Sequence, residues 1–218
     1  MKTVLIFSGG MDSGTLLYDL LNAGDQVECL AINYKQRHVR ELMAAKSLCK
    51  HLKVKLDVLD LSGLGSMLKG SSQTDDSVAV PFGNYDEPNM KLTVVPNRNM
   101  FLLAAAGAVA VSRKADRLAY GAHAGDHTIY PDCRPEFVEA MKSAFQLCDW
   151  HNLDLYAPYL DMTKGDICKR GGALNVRYDL TWTCYTGGET PCGKCGSCME
   201  RAEAFAFAGM EDPLLVAA

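Results

Sequence analysis

Residues 3–7, Thr-Val-Leu-Ile-Phe, run straight into Ser8-Gly9-Gly10-Met11-Asp12-Ser13-Gly14-Thr15, after which apolar positions recur at Leu16, Leu17, Leu20 and Leu21. A short continuous apolar run is the pattern of a strand buried on both faces, as in a parallel sheet. Two adjacent glycines allow a sharp turn and let a ligand approach the backbone without meeting a Cβ. The spacing that follows predicts a helix, with Ser13 placed as its N-cap and Gly24 closing it. A strand turning at glycines into a helix N-terminus offers backbone N–H groups and the positive end of a helix dipole to an anion. A phosphate is the expected anion; a Gly-rich connection without ligand is the alternative.

Such a unit commits the following chain to crossovers. Residues 27–33 alternate as a second strand, residues 38–52 carry an inward stripe at Leu42, Ala45, Leu48, Cys49 and Leu52, and residues 54–61 read as a third strand. Strand, helix, strand, helix, strand implies a parallel sheet with right-handed connections. Residues 62–92, rich in Gly, Ser, Asp and Asn, break the rhythm and read as a mobile flap beside the site or an inert insertion. A small-residue helix is expected over 100–111, a strand over 117–120, a helix from Pro135, a strand over 156–162 and a helix N-capped by Thr163. In open parallel sheets ligands gather beyond the carboxyl ends of strands, so the loops after Phe7, Asn33 and Tyr120 should face one cleft.

The net charge of −4 argues against a broad basic nucleic-acid footprint. No apolar run reaches the ~18 residues of a membrane span, and the one after Met1-Lys2 stops at Phe7, short of a signal peptide. A cytoplasmic protein is expected. Nine cysteines then need an explanation. Cys29, Cys49, Cys148 and Cys168 fall within expected strands or helices and read as core. Cys184, Cys192, Cys195 and Cys198 cluster between glycines that let the chain wrap an ion. Four soft ligands suit a closed, structural zinc site. Two disulfides, an iron–sulfur cluster, or a redox pair of Cys195 and Cys198 are the other readings.

The exact letters of the first loop resemble a known signature. SGGMDS lacks the lysine of a Walker A loop and the spacing of a dinucleotide fingerprint, but it is similar to the SGGxDS pyrophosphate loop of the ATP pyrophosphatase superfamily. Further strings carry a closer resemblance: FSGGMDS, Gln36-Arg37-His38 before Glu41-Leu42, VPNRN at 95–99, YPDCRPEF at 130–137, and the terminal PCGKCGSC. Together and in this order they resemble the 7-cyano-7-deazaguanine synthase (QueC) family across nearly the whole chain. The chain departs from that family at Thr128-Ile129, where a Ser-Gly usually precedes YPDCRPEF, which puts the shape of that loop in question.

The resemblance implies a Rossmann-like α/β sheet of the adenine nucleotide alpha-hydrolase type over residues 1–180 and a small zinc-binding helical region over 181–218. It implies ATP-dependent ligation of ammonia to 7-carboxy-7-deazaguanine, through an adenylate, an amide and a second activation to the nitrile. ATP, Mg²⁺ and Zn²⁺ are the implied cofactors, with no direct nucleic-acid or membrane partner and a homodimer as the assembly. Phe7, Ser8, Gly9, Gly10, Met11, Asp12, Ser13, Gly14, Thr15, Leu16 and Leu17 are expected to bind the nucleotide, and Asp12 to hold Mg²⁺ or to cap the helix. Arg98 is expected to steady phosphate or carboxylate, or to make a surface ion pair; Lys164 to reach phosphate or remain solvated. Asp132 would accept from the guanine-like edge, Arg134 meet the carboxylate and Tyr130 stack on the base; a loop packed for stability is the alternative. Cys133 is a pocket wall or a nucleophile, and His38 and His123 are candidate proton-transfer groups or, as loop histidines more often are, ordinary hydrogen-bond partners. A rival is a pyrophosphate-loop enzyme that adenylates a tRNA base and transfers sulfur; another is a zinc-ribbon interaction module on an inert nucleotide-binding domain.

Overall fold

The computed structural model describes residues 1–84 and 88–216. Five parallel strands lie in the order β3-β2-β1-β4-β5: β1 (Lys2–Ile6), β2 (Gln26–Asn33), β3 (Lys55–Asp60), β4 (Arg117–Ala119) and β5 (Asp154–Tyr156). Their apolar runs are buried because helices cover both faces. On one side α1 (Met11–Asn22) and α2 (Arg40–Leu52) pack Leu16, Leu17, Leu20, Ala45 and Leu48 against Leu5, Cys29 and Ala31. On the other, α4 (Arg98–Ser112) and α5 (Pro135–Cys148) pack Leu103, Ala106, Ala110, Val138 and Phe145 against Val4, Leu118 and Leu155. The run Pro88–Ser112 has the length and a mean hydropathy, 1.4, that could serve a membrane span, yet Leu103, Ala106 and Ala110 spend that hydrophobicity on the sheet. Strand order reverses direction between β1 and β4, and this switch point opens a crevice at their carboxyl ends.

Three sequence expectations change. The last strand is β5, ending at Tyr156, rather than a run over 156–162. Pro158 brings no N–H for a ladder, and residues 158–161 form turns. Residues 62–92 are tied down rather than loose. After the short α3 (Ser62–Gly65), Ser71, Ser72, Gln73 and Thr74 are buried. Arg37 binds three carbonyls of this segment, at Ser72, Asp75 and Val78, and Phe82 bridges to Cys195. None of its described residues lines the cavity described below. Cys148 is exposed at the end of α5, whereas Cys29, Cys49 and Cys168 are core.

The chain closes with α6 (Lys164–Ala173), α7 (Gly196–Ala208) and α8 (Pro213–Val216). Thr163 does cap α6: its hydroxyl accepts from the Asp166 N–H, and Asp166 in turn accepts from the Thr163 N–H. Buried Arg201 on α7 grips Asp212 with two nitrogens, at 2.7 and 2.8 Å, and also donates to the hydroxyls of Thr181 and Thr183. That fork fixes the segment 181–183, which hydrogen-bonds back to the first loop through the Trp182 N–H and the Gly9 carbonyl, 3.0 Å apart.

Candidate active site

A cavity enclosing about 1140 Å³, its open mouth included, lies over the switch point. Phe7 and Ser8 enter it after β1, Tyr34 and Gln36 after β2, and Tyr120 to His123 after β4. The three loops thus share one cleft. The segment around the cysteines closes it with Trp182, Thr183, Tyr185 and Ser197.

The first loop enters its helix three residues earlier than its letters imply. Gly10, not Ser13, is the N-cap, and the helix starts at Met11. The N–H groups of Met11, Asp12 and Ser13 are therefore the unsatisfied donors of a helix N-terminus, an anion cradle beside the hydroxyls of Ser8 and Ser13, 3.1 Å apart. Only glycine suits position 9. Its φ is +84°, and a Cβ there would stand 2.4 Å from the Glu41 carbonyl oxygen and 2.5 Å from the Ala45 nitrogen. Phe7, Ser8, Gly10, Met11, Asp12 and Ser13 line the cavity; Gly14, Thr15, Leu16 and Leu17 continue down α1 into the core, outside its lining.

Asp12 projects from the first turn of α1 into a charged cluster. Its Oδ2 lies 3.5 Å from Lys164 Nζ and 3.7 Å from His123 Nε2, while Lys164 also meets Glu200 at 2.5 Å. Burial works against the Lys164 charge, but the carboxylates of Asp12, Glu200 and Asp126 outweigh it and hold the pKa above that of an ordinary lysine. Burial pushes Glu200 upward, with Lys164 and His123 pulling the other way. His123 Nδ1 accepts from the Gly125 N–H at 3.1 Å, so the neutral ring carries its proton on Nε2, facing Asp12 and Asp126. His123 therefore orients carboxylates. Asp12 Oδ1 is buried with no hydrogen-bond partner among the described residues. An unclaimed carboxylate oxygen beside a phosphate cradle fits a hard cation such as Mg²⁺. Asp126 and Glu200 were not singled out from sequence; the signal for Glu200 was its place two residues past Cys198 on one continuous helix.

Across the cavity, Arg98 opens α4 with its guanidinium 5.2 Å from the centre of the Tyr130 ring. Burial disfavours its charge, but Tyr34, Cys133, Tyr130 and Asp132 favour it and raise the pKa further. Cys133 lines the cavity beneath it. Burial first, then Asp126 and Asp132, push the Cys133 thiol up, so it stays protonated as a wall. Asp132 faces elsewhere: its carboxylate accepts from the Asn99 N–H at 2.9 Å, latching the start of α4. Arg134 is exposed, donating to the His127 carbonyl at 2.8 Å. Neither Asp132 nor Arg134 lines the cavity. Tyr130 does, its hydroxyl bonded to Thr93 at 2.6 Å. Thr128-Ile129 is accommodated in this loop without strain at Ile129. Ile129 sits at φ −99°, ψ −40°, a conformation that needs no glycine, and its side chain joins the core.

The sulfur atoms of Cys184, Cys192, Cys195 and Cys198 all lie within 4.8 Å of one another. Zinc held at ~2.3 Å by four thiolates requires S–S spacings of about 3.8 Å; Cys192 and Cys198 are 4.0 Å apart. Backbone N–H groups of Cys192, Lys194 and Cys195 point at the sulfurs from 3.3–3.4 Å, offsetting thiolate charge. This set fits Zn²⁺.

The family model described as queuosine biosynthesis protein QueC matches residues 2–209. The chain belongs to the QueC family. It is 53% identical over 213 residues to the 7-cyano-7-deazaguanine synthase of Hahella chejuensis, covering 98% of this chain and 92% of that one. It is likewise 53% identical over 214 residues to that of Methanoregula boonei, covering 98% of both. Among solved structures, a 4-thiouridine synthetase in complex with RNA and ATP shares the fold, with TM-score 0.55 at 16% identity, across 99% of this chain and 51% of that one. The QueC chain thus spans about half of that neighbour.

Proposed function

We propose that this QueC-family chain is the ATP-dependent ligase that converts 7-carboxy-7-deazaguanine and ammonia to 7-cyano-7-deazaguanine in queuosine biosynthesis. The observation that carries the reading is family membership across residues 2–209 together with a phosphate cradle and a polar cavity at one switch point. A carboxylate is a poor acyl donor because its oxygen leaves badly; adenylation turns that oxygen into part of AMP. The N–H groups of Met11, Asp12 and Ser13 meet the negative charge that builds on departing pyrophosphate, which is electrostatic preorganisation. Bound Mg²⁺ would neutralise phosphate charge, and Asp12 is the residue that would hold it. Lys164, kept cationic by its carboxylate neighbours, lies where it can meet a phosphate oxygen as a point charge. Arg98 supplies a planar cation inside the cavity for the substrate carboxylate or the base face. The 1–180 domain and the 181–218 region act as one site, since Trp182, Thr183 and Tyr185 line the same cavity as the cradle, with the Trp182 N–H bonded to the Gly9 carbonyl. Zinc would brace that segment without touching substrate.

The reaction belongs in the cytoplasm, with ATP and reduced thiols; the assembly expected is a homodimer without nucleic-acid partners, which light scattering would measure. The activity test is direct. Zinc-replete protein incubated with ATP, Mg²⁺, ammonium and 7-carboxy-7-deazaguanine should yield amide and then nitrile by mass spectrometry. Folded, metal-replete protein that made neither would overturn the reading.

A further inference from the structure

The cavity holds one basic nitrogen that the adenylation machinery leaves unused. His38 stands in the turn before α2, its side chain 5% exposed, and its Nε2 lies 3.1 Å from Glu41 Oε2 one helical turn on. Both residues line the cavity. With Nε2 donating to Glu41, the neutral ring presents its lone pair at Nδ1, and that atom is buried with no hydrogen-bond partner among the described residues. Buried polar atoms are nearly always satisfied, so an orphan in a ligand cavity marks a place where the ligand completes the bond. The ring is held rather than loose. Gln36 closes the preceding loop by accepting from the Tyr34 N–H at 3.0 Å and donating to the Ile32 carbonyl at 3.2 Å, and the Tyr185 ring packs 5.6 Å away. A base whose other nitrogen is oriented by a carboxylate is the arrangement that general-base catalysis requires.

We infer that His38, oriented by Glu41, is the general base that prepares ammonia for attack on the acyl-adenylate. The inference rests on the ligase reading and adds to it a residue for the second chemical step. Ammonium, the dominant form at neutral pH, has no lone pair to offer. Nδ1 takes one proton from it, and the freed lone pair forms the C–N bond at the adenylate carbonyl. The C–O bond to AMP breaks with its electron pair, AMP leaves, and a second nitrogen proton passes to solvent to give the amide. The resulting imidazolium keeps Nε2–H on Glu41, whose charge offsets the new one. His123 cannot take this part, because its Nδ1 is already occupied by the Gly125 N–H.

The test separates adenylation from amidation. Carboxylate-dependent exchange of labelled pyrophosphate into ATP, without ammonia, reads the first step; amide formed from preloaded adenylate and ammonium reads the second. Wild-type protein lacking exchange would sink the ligase reading itself. Given wild-type exchange, His38→Gln, which retains an N–H for Glu41 but no basic nitrogen, should keep exchange within about threefold and slow amide formation about 10²-fold or more, the usual worth of a general base. Glu41→Gln should slow the same step about tenfold. Hydroxylamine, already unprotonated at neutral pH, should restore acyl transfer in His38→Gln as the hydroxamate. Amidation at the wild-type rate in His38→Gln, equal loss of both steps, or failure of hydroxylamine to rescue would each overturn the inference.

Discussion

Asp12 and Gly9 show how much of this site is decided by single atoms. Asp12 has one oxygen shared between Lys164 and His123 and one with no described partner. Asp12→Asn keeps the shape but removes the charge that a cation requires, so kcat should fall about 10²–10³-fold, the scale set by losing one preorganised electrostatic contact. The thermal midpoint should stay near wild type, and pyrophosphate-release kinetics beside calorimetry check both halves. Gly9→Ala should act oppositely, striking stability as well as turnover. The added Cβ meets the Glu41 carbonyl at 2.4 Å on a φ of +84°, and a strained backbone of this kind costs about 1–3 kcal/mol. A urea midpoint unchanged in Gly9→Ala would contradict that account. Residue identity alone exposed Gly9, because adjacent glycines after a strand have few other uses. It did not expose Glu200 or Asp126, whose roles come from which loops converge.

At the scale of elements, α6 and α7 carry the chemistry that α1 begins. Thr163→Ala removes the capping box of α6 and should cost about 1 kcal/mol, or roughly 2–4 °C in a chain of this size, measured by thermal unfolding. Because Lys164 is the next residue, kcat should drop alongside. The cysteine array fastens the start of α7, two residues ahead of Glu200. Cys192→Ala should therefore lose the metal, about one zinc per chain by elemental analysis, and lower turnover although no cysteine reaches the cradle. Full zinc content in that variant would count against the four-thiolate site. Element types were legible wherever pattern and punctuation agreed, as for β1 with its glycine turn and Thr163 before α6. They were misread where apolar content outweighed punctuation inside the run. Residues 156–162 looked like a strand, but Leu153 and Leu155 are the buried positions and Pro158 lies beyond the ladder.

Over the whole molecule, charged pairs lace the sheet together away from the site. Asp25 is buried against Arg117, the Thr3 hydroxyl and the N-terminal amine. Burial opposes its charge, yet those partners prevail and its pKa is lowered. A depressed carboxylate contributes stability that is complete above its unfolded pKa, ~3.9, and is lost as pH falls through the folded value. Urea unfolding should thus show wild-type stability dropping below about pH 4, and Asp25→Asn should shrink the gap between pH 7 and acid. An equal drop in both proteins would rule Asp25 out as a contributor. The sequence by itself determined the α/β class, the phosphate loop and the four-cysteine set, because each is local: a strand, a turn and a helix start within fifteen residues, or ligands spaced by tight turns. Only the tertiary structure decided that the carboxylates of Asp12, Glu200 and Asp126 gather around Lys164, that Asp132 and Arg134 lie outside the cavity lining, and that His38 Nδ1 has no partner among the described residues. Those outcomes depend on where distant loops meet above a twisted sheet, and no periodicity along the chain records that meeting.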